Sequence, residues 1–158
     1  MNATSRPRRV VVGLAHPGMN FDPVLTAALD QASWSAAELH VVHTLPVTLP
    51  TAAPQRPDVR RKQLLDRQSR VQAAASDLRL HVGLHTVGRH AETPVRYEVQ
   101  HGDPATMLLM AARGADLLVV GAPAANATTR RSPFLLGTVS QDVTVNATCS
   151  VLLVPISQ

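Results

Sequence analysis

Short apolar runs separated by turn residues recur along the whole chain. Val10-Val11-Val12-Gly13-Leu14 is β-branched and lacks polar alternation, the pattern of a strand buried on both faces of a parallel sheet. Turn chemistry follows at Ala15 to Asn20. Asp22 and Pro23 then read as N-cap and first-turn proline of a helix in which Leu25, Ala28, Leu29 and Ala32 share one face. A second strand is expected at Glu38 to His43, closed by Leu45-Pro46 and a proline-rich loop reaching Pro57.

From Asp58 the pattern predicts a long amphipathic helix, polar at Arg60, Arg61, Asp66 and Arg70 and apolar at Leu64, Leu65, Val71 and Ala75, continuing towards Arg89 with Gly83 as a point of bending. Val95 to Gln100 alternates and reads as a strand at a sheet edge. Asp103-Pro104 repeats the cap-then-proline start for a helix over Ala105 to Arg113, with Gly114 as its stop. Asp116 to Val120 is another apolar strand, ended by Gly121. An irregular stretch to Leu136 leads into a helix from Gly137-Thr138 to about Asn146, and Val151 to Val154 forms a last buried strand ended by Pro155. Strands and helices alternate throughout, so the expected class is α/β with a parallel sheet and right-handed crossovers.

Composition narrows the function classes. The 158 residues, 45% apolar, fit one domain with a real core. No apolar run approaches the roughly 18 residues of a membrane span, and the polar, basic first residues lack a signal-peptide pattern, so a cytoplasmic location is expected. The single cysteine, Cys149, cannot form an internal disulfide, and seven scattered histidines beside it offer no cysteine-based zinc cluster; no metal ligands are assigned. Cys149 itself reads as a small filler before the last strand. The net charge of +4 comes from 15 Lys and Arg, all Arg except Lys62. With one Trp, one Tyr and two Phe there is no stacking platform for bases, and the basic run at Arg56 to Arg70 reads as a solvated helix face, not a nucleic-acid footprint.

Open parallel sheets bind ligands beyond the carboxyl ends of their strands, where the strand order reverses. Two strand ends fit: the turn after Leu14, and the loop from Gly121 to the helix start bearing Gly137, Thr138 and Ser140. That helix start offers free N-H groups and two hydroxyls to phosphate oxygens, and Arg130 and Arg131 in the same loop match phosphate bidentately. The plainer alternative is a tight strand exit at Gly121 and a hydroxyl cap at Gly137-Thr138. His16 and His43 fall near the carboxyl ends of the first two strands, where they could meet over the site, but read more simply as an exposed loop residue and a partly packed strand-end residue. Asp22 and Asp103 are explained by capping, Asp116 sits at the far end of the sheet, and Met107 and Met110 read as packing residues. Walker, GxGxxG and GxSxG motifs are absent from the sequence.

The order of His101-Gly102-Asp103-Pro104-Ala105, Gly114 to Gly121, Gly137-Thr138-Val139-Ser140 and Cys149 to Pro155 resembles the universal stress proteins, and the first strand with Leu39 to His43 fits as well. The resemblance covers nearly the whole chain and is most specific in its last third. It implies a Rossmann-like sheet of five parallel strands in the order 3-2-1-4-5, a basic tail at 1–8, one domain over 9–158, and a homodimer paired through Val151, Leu152, Leu153 and Val154.

Some members of that family bind ATP through a glycine motif, which implies an adenine-nucleotide site, ATP with or without Mg, at Leu14, Ala15, Thr44, Val120, Gly121, Ala124, Arg130, Arg131, Gly137, Thr138, Val139 and Ser140. The motif is incomplete. Ala124 replaces its second glycine, and twelve residues, not nine, separate it from Gly137. Ala15 stands where ATP-binding members tend to carry an aspartate, a loss worth about 1.5 to 3 kcal/mol of binding if that bond is made. Thr44 matches the position whose backbone meets adenine. Two readings therefore stay open: a nucleotide-binding stress-response switch or adaptor with an unidentified protein partner, and a dimeric interaction module of the same fold that binds no nucleotide. Slow ATP hydrolysis ranks last, because no Asp or Glu occurs between Gly121 and Ser140 and no general base stands out.

Overall fold

A computed structural model describes residues 8–14, 21–47, 56–123 and 137–156. Its elements run β1 (Arg9–Leu14), α1 (Asp22–Trp34), β2 (Glu38–Leu45), α2 (Pro57–His85), β3 (Val95–His101), α3 (Pro104–Ala111), β4 (Leu117–Pro123), α4 (Thr138–Asn146) and β5 (Ser150–Ile156), with a short 3-10 turn at Gly88–His90. The five strands form one parallel sheet in the order β3-β2-β1-β4-β5. This is the Rossmann-like order expected, with Val95 to Gln100 at one edge and Val151 to Val154 at the other.

The unalternating run in β1 has the expected cause. Val10, Val12 and Leu14 join one core layer with Val24, Leu25, Ala28 and Leu29 of α1 and Leu78 and Val82 of α2. Val11 joins the opposite layer with Ala105 and Leu108 of α3 and Val143 of α4. Gly13 faces Leu108 so closely that a Cβ there would stand 2.7 Å from Cδ1 of that leucine. That close approach is why a glycine interrupts the valine run.

Several sequence expectations are corrected. Asp22 does not cap α1: the cap position is Phe21, with no side-chain hydrogen bond, and Asp22 lies inside the first turn. Asp103 does cap α3, its Oδ2 accepting from the Thr106 N-H at 2.9 Å and hydroxyl at 2.7 Å. These bonds hold the Asp103 carboxyl below the usual range. β2 continues past His43, β4 past Gly121 and β5 through Pro155, because each has a neighbouring strand to pair with at those positions. Pro155 is tolerated since β5 is an edge strand.

The long helix differs most from its expected amphipathic form. Only Leu78 and Val82 of α2 are buried, while Leu64 and Leu65 are each 55% exposed. Its 29 residues extend about 43 Å at 1.5 Å each, whereas a strand of seven covers only about 23 Å. The sheet can cover one end of such a helix, and the end it covers is the C-terminal one. The helix stops at His85 instead of running on to Arg89.

Inside the sheet, buried His40 of β2 stands with Nε2 2.7 Å from Oε2 of Glu98 on β3. Burial lowers the His40 pKa and outweighs the pull of Glu98, with Arg96 and Arg9 pushing the same way as burial. The native state therefore keeps His40 neutral at pH values where the unfolded chain, near the ordinary 6.5, takes up a proton. The unfolded state then binds more protons, so stability falls as pH drops from about 6.5 towards the lowered native value. Urea midpoints should fall between pH 7 and pH 5, and His40→Gln should show a smaller fall than wild type. An equal fall in both would contradict the assignment.

Candidate functional site

The order β3-β2-β1-β4-β5 reverses direction between β1 and β4, which is where open α/β sheets form their ligand crevice. The last described pairing of β1 with β2 is Leu14 with His43, and on the other side Gly13 pairs with Val120, so Leu14 is level with Gly121. β2 runs on through Thr44 and Leu45, and β4 through Ala122 and Pro123. Among the described residues the crevice is therefore bordered by Thr44 on one side and by Gly121 and Ala122 on the other, on strands about two spacings, roughly 9.5 Å, apart.

Buried His43 ties β2 to the last described residue of β1. Its Nδ1 lies 2.8 Å from the Leu14 carbonyl oxygen. A carbonyl can only accept, so Nδ1 carries a proton and donates, while Nε2 is buried and has no hydrogen-bond partner among the described residues. The sequence offers His43 either as a site residue meeting His16 or, more simply, as a packed strand-end residue; its bond across strands to β1 depends on a register that the sequence does not display.

The start of α4 borders the β4 side. Gly137 is the cap residue, and its carbonyl accepts the first helical bond from the Gln141 N-H at 2.9 Å. The N-H groups of Thr138, Val139 and Ser140 have no intrahelical acceptor at such a position. Ser140 is buried, and its hydroxyl donates to the Gly121 carbonyl at 2.7 Å. That bond ties the helix start to β4. It also engages the Ser140 proton, so of the two hydroxyls expected to donate to an anion, Thr138, which is exposed, is the one left to do so.

The glycines differ in their reasons. A Cβ on Gly121 would stand 3.2 Å from Cγ2 of Val24 and 3.4 Å from Cδ1 of Ile156, a tight packing site. On Gly137, among the described residues, it would meet Pro123 in ordinary contact at 3.7 Å, and the backbone there (φ −56°) suits any residue. Leu14, Val120 and Ser140 are buried, Thr44, Gly121, Gly137 and Val139 half-buried, and all lie at the carboxyl side of the sheet. Ala15, His16, Ala124, Arg130 and Arg131 lie outside the described residues. Cys149, half-buried before β5, has its thiol pKa pushed up by burial and by Asp116, which makes it a poor nucleophile.

The match to known proteins is consistent with this architecture. The model of the universal stress protein family matches residues 7–155. The chain belongs to that family. Among solved structures it is similar to the universal stress protein UspA of Lactobacillus plantarum, at 18% identity and TM-score 0.60, covering 94% of this chain and 99% of that one. A universal stress protein solved in complex with cAMP is 19% identical with TM-score 0.57, covering 97% and 100%. One from Archaeoglobus fulgidus, in complex with dAMP, is 16% identical with TM-score 0.54, covering 93% and 97%. No curated protein sequence matches the chain. No helix among the described residues is long and apolar enough to cross a membrane.

The Ser140 to Gly121 bond is testable. Ser140→Ala leaves a part-buried carbonyl without this donor and should destabilise the fold by about 1 to 3 kcal/mol, seen as a lower urea midpoint. An unchanged midpoint would mean that the bond does not hold α4 in place.

Proposed function

We propose that the chain binds an adenine nucleotide in the crevice at the carboxyl ends of β1 and β4, and acts as a stress-response switch or adaptor through conformation and partners, without rapid turnover. The observation that carries this reading is the reversal of strand order between β1 and β4, with the start of α4 tied to the end of β4 by the bond from Ser140 to Gly121. Thr44 borders the crevice as the adenine-side residue. The first-turn N-H groups of α4 and the exposed Thr138 hydroxyl suit phosphate oxygens. The solved relatives with cAMP and dAMP support the ligand class. ATP, with or without Mg, is the first ligand to test, with Arg130 and Arg131 as further phosphate partners and Ala15 and Ala124 as positions that reshape the site.

A specific observation favours the second reading, a dimeric interaction module without nucleotide. The Ser140 hydroxyl is already committed within the protein, and Ala15 and Ala124 lack the features of the ATP motif. Thermal melts with ATP, ADP and AMP, with and without magnesium, separate the two. Ligand at 100 times its dissociation constant adds about 2.7 kcal/mol, or roughly 5 to 10 °C in Tm for a chain of this size. Gly137→Gln should remove the shift while leaving the apo Tm within about 2 °C. No shift at millimolar nucleotide would leave the interaction module standing.

In either reading the homodimer pairs through β5. Val151, Leu152, Leu153 and Val154 are only half-buried and occupy a sheet edge, where an unpaired ladder invites a second strand. Sedimentation equilibrium at micromolar concentration should give twice the chain mass. A monomer there would contradict the pairing.

A further inference from the structure

Asp22, His81 and His85 meet where the start of α1 faces the end of α2. His81 and His85 are four residues apart, so both rings leave the same face of α2. Each Nε2 stands 3.3 Å from the same oxygen, Oδ1 of Asp22. The three donor atoms all lie within 4.8 Å of one another.

Ion pairing alone explains this cluster poorly. The 3.3 Å separations exceed the usual N-H···O length of about 2.9 to 3.0 Å, and apart from the Asp22 carboxylate the buried His81 Nε2 has no polar partner among the described residues. His85 Nδ1 lies 3.0 Å from the His81 carbonyl. It must donate there, so in the neutral ring Nε2 presents a lone pair to the Asp22 carboxylate. Two acceptors facing each other repel unless a second ring proton or a metal cation lies between them. The same bond is the outer contact that commonly aims a histidine at a metal.

The spacing fits an ion. With metal–donor lengths of about 2.0 to 2.2 Å, neighbouring ligands of a tetrahedral centre stand about 3.4 Å apart, close to both observed separations. Two imidazoles and a carboxylate suit zinc and its first-row neighbours, while magnesium and calcium prefer oxygen alone. The side chains of Asp22, His81 and His85 remain 57%, 41% and 25% exposed, so an ion would keep positions for water.

We infer that Asp22, His81 and His85 form a binding site for a divalent transition cation of the zinc class, which staples the end of α2 to the first turn of α1. This goes beyond the nucleotide reading and does not depend on it. The test uses the full chain without a histidine tag, stripped with chelator and titrated with Zn²⁺, Co²⁺ and Mg²⁺. One Zn²⁺ per chain is expected, with visible Co²⁺ absorption of a nitrogen-ligated centre and no Mg²⁺ response. His81→Ala, His85→Ala and Asp22→Asn should each weaken Zn²⁺ binding by more than about 10-fold, and His101→Ala should not. Binding that survives both histidine variants would overturn the assignment. So would the absence of a Co²⁺ spectrum in wild type, a readout that requires no variant to fold.

Discussion

Burial of β1 on both faces is the constraint on which the rest of the architecture depends. With Val10, Val12 and Leu14 in one apolar layer and Val11 in the other, the strand needs helices above and below it. Parallel crossovers supply them: α1 and α2 cover one face while α3 and α4 cover the other. Placing β2 and β3 on one side of β1, and β4 and β5 on the other, reverses the strand order beside the central strand. At the carboxyl ends of β1 and β4 that reversal forms the crevice. The candidate site is thus a by-product of packing, lined by whichever residues fall at its rim.

Those rim residues serve fold and site together. Ser140 holds α4 against Gly121, His43 occupies the last carbonyl of β1, and Gly121 leaves room for Val24 and Ile156. Each would have a structural reason to be present without any ligand. Gly137 is different, since neither its backbone angles nor the described residues beside it demand glycine.

Much of the fold was legible because the signals are local. The valine run, the Asp103-Pro104 cap and the alternating β3 carry their meaning within a few residues. Strand ends were read too short at His43, Gly121 and Val154, because pairing with a neighbour extends a strand beyond its own propensity. The exposed half of α2 was misjudged for a related reason: apolar residues such as Leu64 and Leu65 show where a face could form, not whether the sheet is long enough to cover it. The site was legible only in its glycines and hydroxyls. The His43 bond spans 29 positions and the Asp22 cluster joins two helices, so neither leaves a mark in any short window of sequence.

The central claim is the location of the ligand, and amide chemical-shift mapping with AMP and ATP tests it most directly. The account predicts that amides of Thr44, Gly121 and Gly137 to Ser140 shift together, while those of the exposed half of α2 stay in place. Shifts clustered away from the ends of β1 and β4, or no shifts at millimolar ligand, would contradict it.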